Sequence, residues 1–168
     1  MAGSKTINVL FLCTHNSARS ILEKAMLNNL ALGRFRAFSA GSSPRENQQP
    51  NPLALEVLRH AGVSTDGLRS KTWDEFGNPD GPHMDLVITV CDNAAGEVCP
   101  FWPGHPATAH WGYPDPSETL GTPAQKLEAF RQTLQAIRRR LELLVNLPVA
   151  GADPLRLQTQ VRELAAKP

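Results

Sequence analysis

The sequence has no long apolar run and no excess of charge of either sign. Seventeen lysines and arginines stand against sixteen aspartates and glutamates, leaving a net charge of +1, and neither half of the chain is basic. The electrostatic footprint of a nucleic-acid or anionic-lipid binder is therefore missing, so neither nucleic acid nor membrane is an expected partner. The N-terminal residues "MAGSKTINVLFLCTHN" contain an apolar stretch too short for a secretory signal or a membrane span, which points to the cytoplasm. Tyrosine occurs once, as Tyr113, and cysteine three times, as Cys13, Cys91 and Cys99. An odd, widely spaced set of cysteines is not the framework of a small secreted fold. In a reducing compartment such thiols are buried, metal-bound, catalytic or redox-active. With 168 residues, 41% of them hydrophobic, the chain can bury one sizeable core. Residues 1–150 are expected to form that domain, and 151–168 a tail that is a short helix or partly disordered. A monomer is the simplest expectation, and no internal repeat or low-complexity segment is found.

Strand and helix signals alternate along the chain. "INVLFLC" (7–13) is a continuous apolar run suited to a strand covered on both faces. Ile21, Leu22, Ala25, Met26 and Leu30 follow at helical spacing up to Gly33, a C-cap signal. "RAFSAG" (36–41) reads as a second strand, and Asn51-Pro52 opens a helix that stops near Gly62. "DLVITVC" (85–91) is a third strand ending on Cys91, and "ATAHW" (107–111) a shorter fourth. Thr122, Pro123 and Gln125 form a capping box for a long helix with an apolar stripe from Leu127 to Leu144. The arginines at 138–140 near its C-terminus read as a solvated face that complements the helix dipole. This alternation implies right-handed crossovers and an α/β domain. Its expected core is a four-stranded parallel sheet of order 2-1-3-4 with helices on both faces, binding ligands beyond the carboxyl ends of the strands. Cys13 and Cys91 both occupy such ends.

The stretch "LFLCTHNSARS" (10–20) carries the chemistry. Short and polar residues between a strand and a helix let successive backbone N–H groups turn inward, and the helix dipole adds positive character, which together cradle a tetrahedral oxyanion. The residues of that cradle are Thr14, His15, Asn16, Ser17, Ala18 and Arg19. Asn16 fits a left-handed backbone angle, and His15 need do no proton chemistry. Arg19 supplies a two-donor fork for phosphate-like oxygens. The same field favours thiolate over thiol at Cys13, and Ser20 can hydrogen-bond that sulfur. Cys13 thus reads as a nucleophile facing the central atom of a bound anion, against the alternative of an ordinary buried thiol. Asp115 in "YPDPS" is fixed between two prolines and reads as the acid for the departing oxygen, where Asp-Pro turns are otherwise structural.

Together "CTHNSARS", "VCDNAAGEVCP" and "HWGYPDP" resemble the arsenate reductases built on the low-molecular-weight protein tyrosine phosphatase fold, over about Ile7 to Leu147. The resemblance implies a thiol relay. Arsenate enters the loop from Cys13 to Arg19, Cys13 attacks arsenic and Asp115 protonates the leaving oxygen. Cys91 attacks the resulting arseno-cysteine, and Cys99 moves the disulfide to where an external thiol donor reaches it. "DNAAGEV" (92–98), with Gly96, would supply the mobility that exchange requires. The donor implied is thioredoxin, with glutaredoxin and glutathione or mycothiol as alternatives. No cofactor is expected to be tightly bound, and no metal.

Departures from the family pattern are informative. Seven residues separate Cys91 from Cys99, where thioredoxin-coupled members typically have six. The glutamate that helps to hold potassium in that branch is replaced by Lys24, with Glu23 one residue early, although Asn16 and Ser39 match other parts of that site. Two rivals remain. One is a tyrosine phosphatase with Cys91 and Cys99 as core or redox-protective residues. The other is a metal or oxyanion sensor using the cysteines with His15 or His110, which no C-x-x-C pair supports.

Overall fold

The computed structural model describes residues 6–31, 33–77, 80–91, 106–148 and 153–166. Its elements in chain order are β1 (Ile7–Cys13), α1 (Arg19–Leu30), β2 (Phe35–Gly41), α2 (Pro52–His60), β3 (Leu86–Thr89), β4 (Ala107–His110), α3 (Pro123–Val145) and α4 (Pro154–Leu164). Short 3-10 turns lie at Trp73–Phe76 and Pro116–Glu118. The four strands form one sheet of order β2-β1-β3-β4, and every pairing is parallel, as the alternation of strands and helices predicts.

The central strand decides where the core sits. β1 is apolar on both sides because it is covered on both sides. Val9, Phe11 and Cys13 join one large cluster with Ile21 and Leu22 of α1, Val57 and Leu58 of α2, Phe130, Leu134, Ile137, Leu141 and Leu144 of α3, and Val161 of α4. Leu10 and Leu12 alternate onto a smaller cluster with Ala40, Met84 and Val87, against which Phe38, Trp73 and Phe76 pack. Phe38 and Phe76 meet edge to face at 5.5 Å.

Element boundaries differ from the sequence reading at two points, the end of α1 and the end of β3. α1 begins at Arg19, inside the oxyanion stretch, and is capped at Ala31, so Gly33 (φ +85°) lies two residues beyond its end. β3 stops at Thr89, and although the N–H of Val90 still donates to the Leu12 carbonyl at 3.1 Å, Cys91 sits just past the strand. The tail is helical over Pro154–Leu164, with Asp153 as its N-cap and Leu157, Val161 and Leu164 buried.

α4 solves an edge problem. Among the described residues β4 pairs only with β3, so its outer groups would stand open to another strand. Gln158 accepts from the Thr108 N–H at 3.0 Å, and Arg162 donates to the Thr108 carbonyl at 2.8 Å. The indole N–H of Trp111 donates to the Val161 carbonyl at 3.1 Å.

α3 carries the capping box foreseen in its sequence. The Thr122 hydroxyl accepts from the Gln125 N–H, and the Gln125 side chain accepts from the Thr122 N–H. Thr122→Ala is expected to lower stability by about 1 kcal/mol while leaving oxyanion affinity unchanged, as denaturation midpoints and phosphate titrations of the two proteins will register.

Candidate active site

The chain leaves β1 at Cys13 and enters α1 at Arg19, and the five residues between them wrap around the cysteine sulfur. The N–H of Asn16 donates to Cys13 Sγ at 3.1 Å, and Ser20 Oγ lies 3.0 Å from the same sulfur. Asn16 adopts φ +58°, the left-handed geometry that asparagine tolerates better than most residues. Its side-chain amide donates to Ser20 Oγ at 2.8 Å, while its Oδ1 accepts from the Lys71 N–H at 3.0 Å. One buried asparagine thereby ties loop, helix and a distant segment together.

α1 is also the exception among the α-helices. α2, α3 and α4 have N-caps whose side chains, Asn51, Thr122 and Asp153, accept from the first turn. Ala18 at the head of α1 makes no such bond. The first turn of α1 instead faces the nucleophile, the Ser20 N–H bonding the Cys13 sulfur, and a helix terminus without a side-chain cap suits an anion.

The loop's outer wall is set by Gly41, paired in register with Cys13. A Cβ there would fall 2.5 Å from the Thr14 carbonyl oxygen and 2.9 Å from the His15 carbonyl carbon, so only glycine lets the two backbones approach. Ser42 and Ser43 N–H groups donate to the Cys13 and Thr14 carbonyls, and the Asn51 N–H to the Ser17 carbonyl, all at 2.8–2.9 Å. Thr14, His15 and Ser17 are half-buried, whereas Asn16, Ala18, Arg19 and Ser20 are buried.

Arg19 joins the loop to the acid segment. Its Nη1 donates to the Tyr113 carbonyl at 2.9 Å, and its Nη2 lies 3.5 Å from Asp115 Oδ2. Asp115 is held by the 3-10 turn it starts, where its Oδ1 accepts from the Ser117 N–H at 2.9 Å and the Ser117 hydroxyl at 2.7 Å. The second carboxylate oxygen is thus the one turned toward Arg19.

Burial pushes the Cys13 thiol above its ordinary range, and the Ser20 hydroxyl, the Asn16 N–H and the Arg19 charge pull in the opposite direction. The groups foreseen to favour thiolate are all present, but desolvation outweighs them. Because the Ser20 contact favours the thiolate, its loss raises the titration midpoint further.

Cys91 is buried and disulfide-bonded, whereas Cys13 is a free thiol. Cys99 and the "DNAAGEV" segment lie outside the described residues. His110 bonds Thr89 Oγ1 through Nδ1 at 2.8 Å, and no group of three metal-ligating side chains occurs among the described residues.

Of the groups that the resemblance connects with potassium, Asn16 Oδ1 and the Ser39 carbonyl are bonded to Lys71. The Lys71 ammonium donates to the carbonyls of Ser39 (3.1 Å) and Arg69 (2.8 Å), and Asn16 Oδ1 is taken by the Lys71 N–H. Lys24 and Lys71 raise the local positive charge, and burial with Lys24 and Arg69 nearby brings Lys71 down to about 8. This donor set does not fit a potassium ion.

Lys71, Gly41 and the Tyr113 carbonyl carry no motif and were not legible as site residues. Neither was Arg140. It departs from the solvated face expected of residues 138–140, lying over the rings of Trp111 (5.6 Å) and Tyr113 (5.0 Å). Beneath them Glu23 is fully buried, and burial pushes its carboxyl well above the usual range against the Arg140 charge.

Ser20→Ala is expected to move the pH midpoint of Cys13 alkylation by iodoacetamide upward, so that the rate at any fixed pH below the midpoint falls. Mass-spectrometric rates over a pH series measure it, and an unchanged midpoint would show that the hydroxyl does not donate to the sulfur.

The family model described as low molecular weight phosphotyrosine protein phosphatase matches residues 8–160, reaching into α4. An arsenate reductase of Bacillus licheniformis is 33% identical over 135 residues, covering 80% of this chain and 91% of that protein. The crystal structure of an arsenate reductase from Archaeoglobus fulgidus superposes with a TM-score of 0.64 at 28% identity, over 83% of this chain and 99% of that one. A thioredoxin-dependent arsenate reductase of Corynebacterium glutamicum gives 0.54 at 27% identity, over 85% of this chain and 65% of that one. The chain belongs to the low molecular weight phosphotyrosine protein phosphatase family.

Proposed function

We propose that the protein reduces arsenate to arsenite. The observation that carries this reading is the meeting of Cys13, Ser20, Arg19 and Asp115 around one uncapped helix terminus, in a chain one-third identical to a protein named arsenate reductase. Arsenate is held by the N–H groups of Thr14 through Arg19 and by the Arg19 fork. Cys13 sulfur attacks arsenic, an As–S bond forms, and the As–O bond opposite breaks with Asp115 protonating the departing oxygen. Phosphate esters could follow the same path to this point.

Reduction separates the two chemistries. Cys91 attacks the arsenic-bound sulfur, the As–S bond breaks with its electron pair left on arsenic, and arsenite departs while a Cys13–Cys91 disulfide forms. Cys99 then attacks Cys91, freeing Cys13, and an external dithiol reduces the final disulfide. A free Cys13 together with a disulfide-bonded Cys91 is the redox state this sequence leaves before the donor acts. Thioredoxin is the donor favoured, with glutaredoxin and glutathione or mycothiol as alternatives. The protein works as a monomer in the cytoplasm without a tightly bound cofactor. Its balanced charge and the absence, among the described residues, of a helix long and apolar enough to cross a membrane are consistent with that setting.

The test is arsenite release with each donor system in turn, run beside hydrolysis of an aryl phosphate. Cys13→Ser is expected to abolish both reactions, Cys91→Ser only arsenate reduction, and Cys99→Ser only the thioredoxin-coupled rate. Asp115→Asn should lower kcat roughly 100-fold or more. Arsenate turnover by Cys91→Ser at the wild-type rate would sink the relay. Aryl phosphate turnover without arsenite release would instead assign the protein as a tyrosine phosphatase.

A further inference from the structure

The segment Trp111–Asp115 connects β4 to the acid, and its place relative to Arg19 decides whether Asp115 can reach a leaving oxygen. It is held from two sides. In front, Arg19 takes the Tyr113 carbonyl at 2.9 Å and faces Asp115 at 3.5 Å. Behind, the Arg140 guanidinium lies 5.0 Å from the centre of the Tyr113 ring and 5.6 Å from that of Trp111, and its Nη2 donates to the Ala165 carbonyl at the end of α4 at 3.4 Å.

The chemistry of these contacts is directional. A guanidinium is flat and charged, so it can stack on aromatic faces while its edge N–H groups bond elsewhere; an aliphatic side chain of equal length would fill the space without fixing the ring planes. Trp111 is fully buried and Tyr113 nearly so. Trp111 is anchored further by its indole bond to the Val161 carbonyl and by its backbone N–H to the Thr89 carbonyl at 2.7 Å. Pro114 restricts the backbone of Tyr113, so placing the Tyr113 ring and carbonyl leaves Asp115 little freedom before its own turn begins at Pro116. The charged and titratable groups around Arg140 are Glu23 of α1 and the Tyr113 hydroxyl. Glu23, the Tyr113 hydroxyl and Arg140 interact with one another in this buried cluster, so polar contacts add to the ring contacts that hold this part of the loop.

We propose that Arg140 is a positioning residue for the acid loop, binding Trp111 and Tyr113 to the C-terminal helix α4 and so setting Asp115 opposite Arg19. The role of Asp115 rests on the functional reading above, and the placement of the loop rests on the geometry alone. It also gives the C-terminal helix a part in the site, since α4 supplies the carbonyls that both Trp111 and Arg140 bond.

Two measurements on the full-length protein test it. Hydrogen exchange across residues 111–117 is expected to quicken in Arg140→Met, less so in Arg140→Lys, and to stay unchanged in Arg138→Met, whose side chain is exposed and pairs with Glu142. In steady-state arsenate reduction, Arg140→Met should lower kcat about tenfold with KM within twofold, Arg140→Lys should recover part of the loss, and Arg140→Met should add nothing once Asp115→Asn is present. Unchanged loop exchange would overturn the proposal, and so would a full further loss from Arg140→Met in the Asp115→Asn background. If wild-type protein turns over neither arsenate nor an aryl phosphate, the functional reading fails, and the loop assignment stands or falls on the exchange data.

Discussion

Asn16 is the point on which the site turns. Its left-handed backbone angle lets its own N–H face the Cys13 sulfur while its side chain reaches Ser20 in one direction and the Lys71 backbone in the other. A loop with a left-handed residue and N–H groups converging on a sulfur is not a conformation that a short stretch of chain holds by itself. It persists only if neighbouring segments over-determine it. Asn16, the Gly41 contact and the backbone bonds from Ser42, Ser43 and Asn51 supply that determination, so the cradle is preformed rather than assembled by its ligand.

The electrostatics follow from that enclosure. Burial works against charge on Cys13, and the donors around it work for charge; both arise from the same tight wrapping. Burial of the Arg19 guanidinium strengthens its interaction with a bound anion. Lys71, buried behind the loop with its ammonium on two carbonyls, adds a fixed donor in a region where the first-turn helix dipole already favours anions. The site is therefore electropositive through its backbone and two buried cations rather than through exposed charge, which is why the near-neutral composition of the chain conceals it.

The acid side is built by different means. Arg19 faces it from the nucleophile loop, while Arg140 and α4 hold it from the outer edge of the sheet. α4 also covers the groups that β4 would leave unpaired. One short helix thereby closes an edge that would invite association and buttresses the loop that carries Asp115. Its three buried residues, Leu157, Val161 and Leu164, are enough to seat it because the strand edge provides the hydrogen bonds.

Local physics wrote much of this into the chain. Apolar runs at 7–13 and 85–91, helix caps at Asn51 and Thr122, and the small-residue stretch between Cys13 and Arg19 determine strands, helices and a candidate oxyanion loop, because each depends on neighbours within a few residues. The parallel order followed from alternation and crossover handedness. What the tertiary structure decided are the contacts that join remote segments: Lys71 to Asn16, Gly41 to Thr14, Arg19 to Tyr113, and Arg140 to two aromatic rings. None of these pairs is bound by a spacing rule, so an arginine in "RRR" looked like its exposed neighbours, and the balance between burial and charge at Cys13 could not be struck. Sequence alone names the groups that favour a thiolate; how much water they lose is a property of the packed fold.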